Sequence, residues 1–164
     1  MKQGKHEFEF ELGKDFFDEF NNTDILGADL RVFIVFEKNS TYLSLNFKIS
    51  GKIQSLCDRC LEPVDVEIEY SPSLYVNFGE ETSDLTDIDE TMVLSRSEDS
   101  INLAKHIYDY ICLNIPIQKC HKDNEDGTSG CNPEMIKKIE NYSLQTAKKG
   151  EIDPRWEKLK NLYN

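Results

Sequence analysis

Cys57 and Cys60, in the stretch GKIQSLCDRCLEPVDVEIEY, are the residues whose type and spacing most directly suggest chemistry. Two cysteines separated by two residues can reach one metal ion from a tight turn, can act as a redox pair, or can be plain thiols. A redox pair belongs at a helix N-terminus in a βαβ context. Here VDVEIEY follows, which alternates as a strand, so redox chemistry is disfavoured. Zinc needs four Cys or His ligands, and the polar stretch IQKCHKDNEDGTSGCN supplies Cys120, His121 and Cys131. The preferred set is Cys57, Cys60, His121 and Cys131, with Cys120 as the alternative ligand. Four protein ligands leave no open position, so this zinc would be structural rather than catalytic. Arg59, between the two cysteines, favours their thiolates. Two unmetallated thiols in a hairpin are an equally open reading.

Other chemistry finds little support. Five cysteines are an odd number, and MKQGKHEFEF lacks the apolar core of an export signal, so a disulfide framework is a poor fit. There is no Gly-rich phosphate loop, no HExxH and no GxSxG, and three histidines anchor few schemes. The carboxylates of GEETSDLTDIDET, residues 79–91, lack the spacing and glycine of an EF-hand and read as a solvated acidic loop. His106 and Cys112 fall inside a helical pattern and read as packing or surface residues. No catalytic residue and no cofactor other than a structural zinc is expected.

The elements that must position the cysteines are mostly strands. HEFEFEL alternates, with Phe8, Phe10 and Leu12 on one side and Glu7, Glu9 and Glu11 on the other, as a half-buried strand does. KDFFDEFNN reads as a short helix entered at Asp15. LRVFIVFEKN and TYLSLNFKIS read as a hairpin, the second with Leu43, Leu45, Phe47 and Ile49 inward. Gly51 suggests a bulge. VDVEIEY turns Val64, Val66, Ile68 and Tyr70 inward, and SLYVNF adds another extended piece. SINLAKHIYDYICLNIP is the best helix, capped by Ser100 and stopped by Pro116. Pro133 starts a short helix, SLQTAKKGEI reads as a linker, and Asp153-Pro154 starts a last helix carrying Trp156, Leu159 and Tyr163. The fold class is therefore α+β: a mostly antiparallel meander sheet or partial barrel of five to six strands, one long helix and short C-terminal helices. Residues 1–140 form a single domain that includes the CxxC hairpin, and 141–164 form a linker and C-terminal helix.

The 164 residues are 38% hydrophobic and 30% charged, and no apolar run approaches the ~20 residues of a membrane span. A cytoplasmic protein with no membrane partner is expected. The net charge is −12. Residues 133–164 hold seven Lys/Arg and five Asp/Glu, a balance of +2, so residues 1–132 carry −14. Such a body repels a polyphosphate backbone and suits a basic protein partner.

GKIQSLCDRCLEP after two alternating strands resembles the hallmark of the bacterial YceD family. INLAKHIYDYICLNIPI is similar to that family's helix and the segment after it, and GCNPEMIKKIE…DPRWEKLKNL to the Bacteroidetes-type version. The resemblance spans nearly the whole chain. It implies a non-enzymatic accessory role in accumulation of large-subunit ribosomal RNA, acting by binding a ribosomal protein, an assembly factor or rRNA. With the acidic body, a ribosomal protein or assembly factor of the large subunit is the expected partner, and contact with rRNA is expected to be indirect. It also carries the family's cysteines onto Cys57 and Cys60, and its later His/Cys positions onto His121 and Cys131. The chain departs from the pattern in lacking a second close CxxC, and Cys120 is an additional cysteine. Two other classes fit the residues: a metal-dependent hydrolase acting on RNA, and a small zinc-stabilised protein-interaction domain unrelated to ribosomes.

Overall fold

The computed structural model describes residues 4–39, 42–78, 91–94 and 100–146. The chain divides into two compact units, residues 1–121 and 122–164. The first unit contains strands β1 (Gly4–Leu12), β2 (Ile25–Lys38), β3 (Tyr42–Leu56), β4 (Pro63–Tyr70), β5 (Ser73–Phe78) and β6 (Thr91–Leu94), with helices α1 (Lys14–Asp18) and α2 (Ala104–Asn114). The second contains helix α3 (Pro133–Thr146). The class is α+β, with a six-stranded, mostly antiparallel open sheet.

The sheet is organised around β3. Its odd-numbered residues Leu43, Leu45, Phe47, Ile49 and Ile53 are all buried, because a strand's period of two keeps them on one face. Ile34 and Val32 of β2 pair opposite Phe47 and Ile49, Val66 of β4 pairs opposite Ile53, and Leu30 and Ile68 flank Gly51; all five are also buried. Helices α1 and α2 cover this face with Phe17, Ile107, Tyr110 and Ile111. Tyr110 meets Phe47 edge-on at 5.3 Å, and Tyr108 stacks on Phe20 at 4.3 Å.

Several expectations are corrected. The sheet is open rather than a partial barrel, and the simple meander ends at β4. Strand β3 is long enough to pair with both following strands: residues 49–56 with β4, residues 42–46 with β5. The last pairing, β5 with β6, is parallel. Gly51 is not a bulge. Pairing with β2 runs unshifted through Gly51↔Leu30, and the one register shift lies between Ile25 and Gly27. Gly51 instead allows close approach. At φ +142°, an added Cβ would overlap the Asp29 carbonyl oxygen and come within 2.9 Å of Leu30 Cα. Strand β1 is not half-buried: Phe8 and Phe10 share the core-side face but are 38% and 46% exposed.

The helices differ from expectation at their ends. Helix α2 spans 11 residues and starts at Ala104 rather than near Ser100. The Ala104 N–H donates to the Asn102 side chain at 3.0 Å, an Asx turn that sets the start, and Ile115 before Pro116 is extended. Among the described residues no single long helix stands out, since α2 has 11 residues and α3 has 14. Asn132 caps α3 by accepting the Glu134 N–H at 2.9 Å. This helix continues through residues 143–146, the start of the stretch expected as a linker. The rest of that stretch, the acidic residues 79–90 and the expected helix at 154–163 lie outside the described residues. No helix among the described residues is long and apolar enough to cross a membrane.

Candidate metal centre

Strands β3 and β4 are joined by residues 57–62, and this turn presents both cysteines. Leu56 pairs with Pro63 at its base. The Cys57 N–H donates to Glu62 O at 2.8 Å and the Leu61 N–H to Cys57 O at 2.9 Å. Closing the turn this way puts Leu61 in the left-handed region, φ 61°, where a side chain with a Cβ is disfavoured. Cys57 and Cys60 are both buried, while Leu61 is 63% exposed.

The segment after α2 is fastened to this turn. The Asp58 N–H donates to Lys119 O at 2.7 Å, and the Lys119 N–H donates to Asp58 Oδ2 at 2.6 Å. The Lys119 ammonium lies 3.7 Å from Asp58 Oδ1. This two-way clasp brings His121 to the cysteines, with Nδ1 3.4 Å from Cys60 Sγ. The other ring nitrogen, Nε2, is 3.1 Å from Pro63 O. A carbonyl only accepts, so Nε2 carries the proton and Nδ1 presents a lone pair towards the sulfurs. That is the tautomer a metal-binding histidine needs.

The thiol sulfurs of Cys57, Cys60 and Cys131 and a ring nitrogen of His121 all lie within 4.8 Å of one another. Metal–sulfur bonds of about 2.3 Å and metal–nitrogen bonds of about 2.0–2.1 Å give a tetrahedral S–N edge of roughly 3.6 Å. The Cys60–His121 separation of 3.4 Å is close to that edge. Burial works to raise the Cys57 thiol pKa, but backbone N–H groups of Cys60, Arg59 and His121 and the Cys60 side chain outweigh it and lower it to about 5. The Arg59 N–H lies 3.4 Å from the sulfur. Three soft sulfurs, one of them a thiolate at neutral pH, and one imidazole nitrogen make a donor set that fits zinc. The four residues are close together and able to bind a metal, consistent with a structural zinc.

The remaining sequence candidates fall elsewhere. Cys120 is not one of the four. Burial first, and then the charge of Cys57 and a hydrogen bond to it, push the Cys120 thiol up, so it stays protonated beside the Cys57 thiolate. Cys112 sits on α2 near Asn22 and Tyr108, where burial raises its thiol. His106 lies against the edge of the Tyr110 ring. All five cysteines are free of disulfides. Sequence reasoning missed the Asp58–Lys119 clasp and the Pro63 carbonyl. A carboxylate inside the CxxC was visible, but nothing in the sequence named its partner 61 residues on.

The family model described as large ribosomal RNA subunit accumulation protein YceD matches residues 45–163. It begins inside β3 and includes all four clustered donors, while β1, α1 and β2 precede it. No curated protein and no solved structure matches the chain.

Proposed function

The chain belongs to the YceD family, and from that membership we propose that it is a non-enzymatic accessory protein of large ribosomal subunit biogenesis. It acts by binding a ribosomal protein or assembly factor of the large subunit, in the cytoplasm, and its contact with rRNA is indirect. The observation that carries this reading is the family match across most of the chain. The charge supports a protein partner: a body at −14 over residues 1–132 opposes a phosphate backbone and attracts the basic proteins that coat one.

Within this role Cys57, Cys60, His121 and Cys131 hold a structural zinc. When bound, the metal supplies a fixed cross-link and no chemistry, because protein atoms take all four positions. The chain's own residues prepare the site. The Pro63 carbonyl sets the His121 tautomer, the Arg59 and Cys60 N–H groups favour the Cys57 thiolate, and the Asp58–Lys119 clasp places His121.

Sucrose-gradient profiles of a strain lacking the gene test the role. A depleted large-subunit peak is expected, and a normal one refutes it. Affinity purification of the full chain from its host at moderate salt should recover a large-subunit protein or assembly factor. Recovery of bare RNA alone, persisting at high salt, refutes the protein-partner reading.

A further inference from the structure

We propose that the free edge of β1 is a docking site for an extended basic segment of a partner protein, which adds to the sheet as one more strand. This rests on the binding role above and names the partner's chemistry and where it sits. Strand β1 precedes the residues that the family model covers.

Three observations converge on β1. It pairs with β2 along its whole length, Gly4↔Lys38 to Leu12↔Leu30, and is the terminal strand of the sheet, so among the described residues its other edge carries unpaired backbone groups. Its core-side face leaves Phe8 and Phe10 uncovered, opposite the buried Ile34 and Val32 of β2. The aromatic row therefore continues the hydrophobic face beyond the part that the described helices α1 and α2 cover. Its other face is acidic. Glu7, Glu9 and Glu11 are all exposed and recur about every 6.8 Å. On that face Lys5 lies 3.3 Å from Glu7, and Arg31 lies 3.9 Å from Glu11 as a loose pair. Opposite Glu9 stands Phe33, and Glu37 stands opposite Lys5.

Glutamates alone would simply protect an edge from aggregation. Two large exposed aromatics on the same strand work against protection and favour capture of an apolar row. Together the faces specify an occupant that alternates Lys or Arg with apolar residues. A second copy of this chain fits poorly. Every antiparallel register that keeps the aromatic rows together sets glutamate against glutamate, as Glu7 against Glu9, or Glu9 against itself.

The test uses the full-length chain and a nine-residue capped peptide alternating lysine and valine, with a glutamate–valine peptide as control. The lysine peptide should bind, more weakly as salt rises, and should slow hydrogen exchange at alternate amides of β1. The Phe8→Ser/Phe10→Ser variant should bind it at least ten-fold more weakly. The Glu7→Lys/Glu9→Lys/Glu11→Lys variant should prefer the glutamate peptide. The proposal is overturned by no binding, by undiminished binding in the phenylalanine variant, or by protection that appears away from β1. It is also overturned if the outer β1 amides are already protected without peptide, as cover by a second copy or by residues 147–164 would cause. A large-subunit protein recovered from cells equally well by the phenylalanine variant would sink this surface and leave the binding role standing. Peptide binding with no ribosomal partner recovered would do the reverse.

Discussion

Replacing Asp58 with alanine isolates the clasp that brings His121 to the cysteines. The Asp58 carboxylate accepts the Lys119 N–H at 2.6 Å and faces the Lys119 ammonium at 3.7 Å. A hydrogen bond to a charged group contributes about 1.5–3 kcal/mol, and an exposed ion pair about 0.2–1 kcal/mol. The Asp58 side chain is 43% exposed, so water replaces part of what is lost. A cost of about 1–2 kcal/mol follows for Asp58→Ala after that discount. The Lys119→Ala variant loses only the ion pair and keeps its own N–H, so it should cost under about 1 kcal/mol. Native-state hydrogen exchange in metal-free protein reads this directly. The Lys119 amide should exchange roughly 5- to 30-fold faster in Asp58→Ala and little faster in Lys119→Ala. Unchanged exchange in Asp58→Ala would refute the clasp. Equal acceleration in both variants would show that the ion pair, not the main-chain bond, holds the segment.

Other perturbations follow from single positions. Gly51→Ala sets a Cβ against the Asp29 carbonyl and Leu30 Cα at φ +142°, so it should cost at least about 2 kcal/mol in urea titration. A wild-type midpoint in that variant would contradict the close approach. Leu61 stands at φ 61°, where an L side chain costs about 1–2 kcal/mol, while glycine's extra chain entropy costs about 0.5–1 kcal/mol. Leu61→Gly should therefore melt no lower than wild type, and Leu61→Val clearly lower; equal losses would refute the strain. Ile111→Ala, at a fully buried position on α2, should cost about 2–5 kcal/mol by denaturant midpoint, and a loss under about 1 kcal/mol would mean that α2 does not seal the core.

Faces were legible in the sequence wherever alternation was clean, but cover was not. Leu43, Leu45, Phe47 and Ile49 alternate and are buried; Phe8 and Phe10 alternate as cleanly and are exposed. Period two reports which side chains share a face, and the neighbours decide whether that face is sealed. The error at Gly51 was avoidable. Ile49 and Ile53 have the same parity, and a one-residue bulge between them would have thrown one of them to the other face. The branching at β3 was less accessible, because propensity does not say which earlier strand a later one will pair with. Length carried a hint, since β4 and β5 together nearly match the 15 residues of β3. In the site, residue type and spacing picked out the cysteines and His121, because few side chains bind a soft metal. Cys120 and His121 are adjacent, so sequence alone left both available. The Pro63 carbonyl orients His121 within the cluster, while Cys120 lies beside Cys57.

The most direct test of the metal centre is the zinc content of the full chain purified without added metal, beside Cys57→Ser and His121→Ala. One zinc per chain in the wild type, with loss of metal and a lower melting temperature in both variants, is the predicted result. Wild-type protein that carries no zinc and binds none when it is supplied, or variants with unchanged zinc and melting temperature, would contradict it.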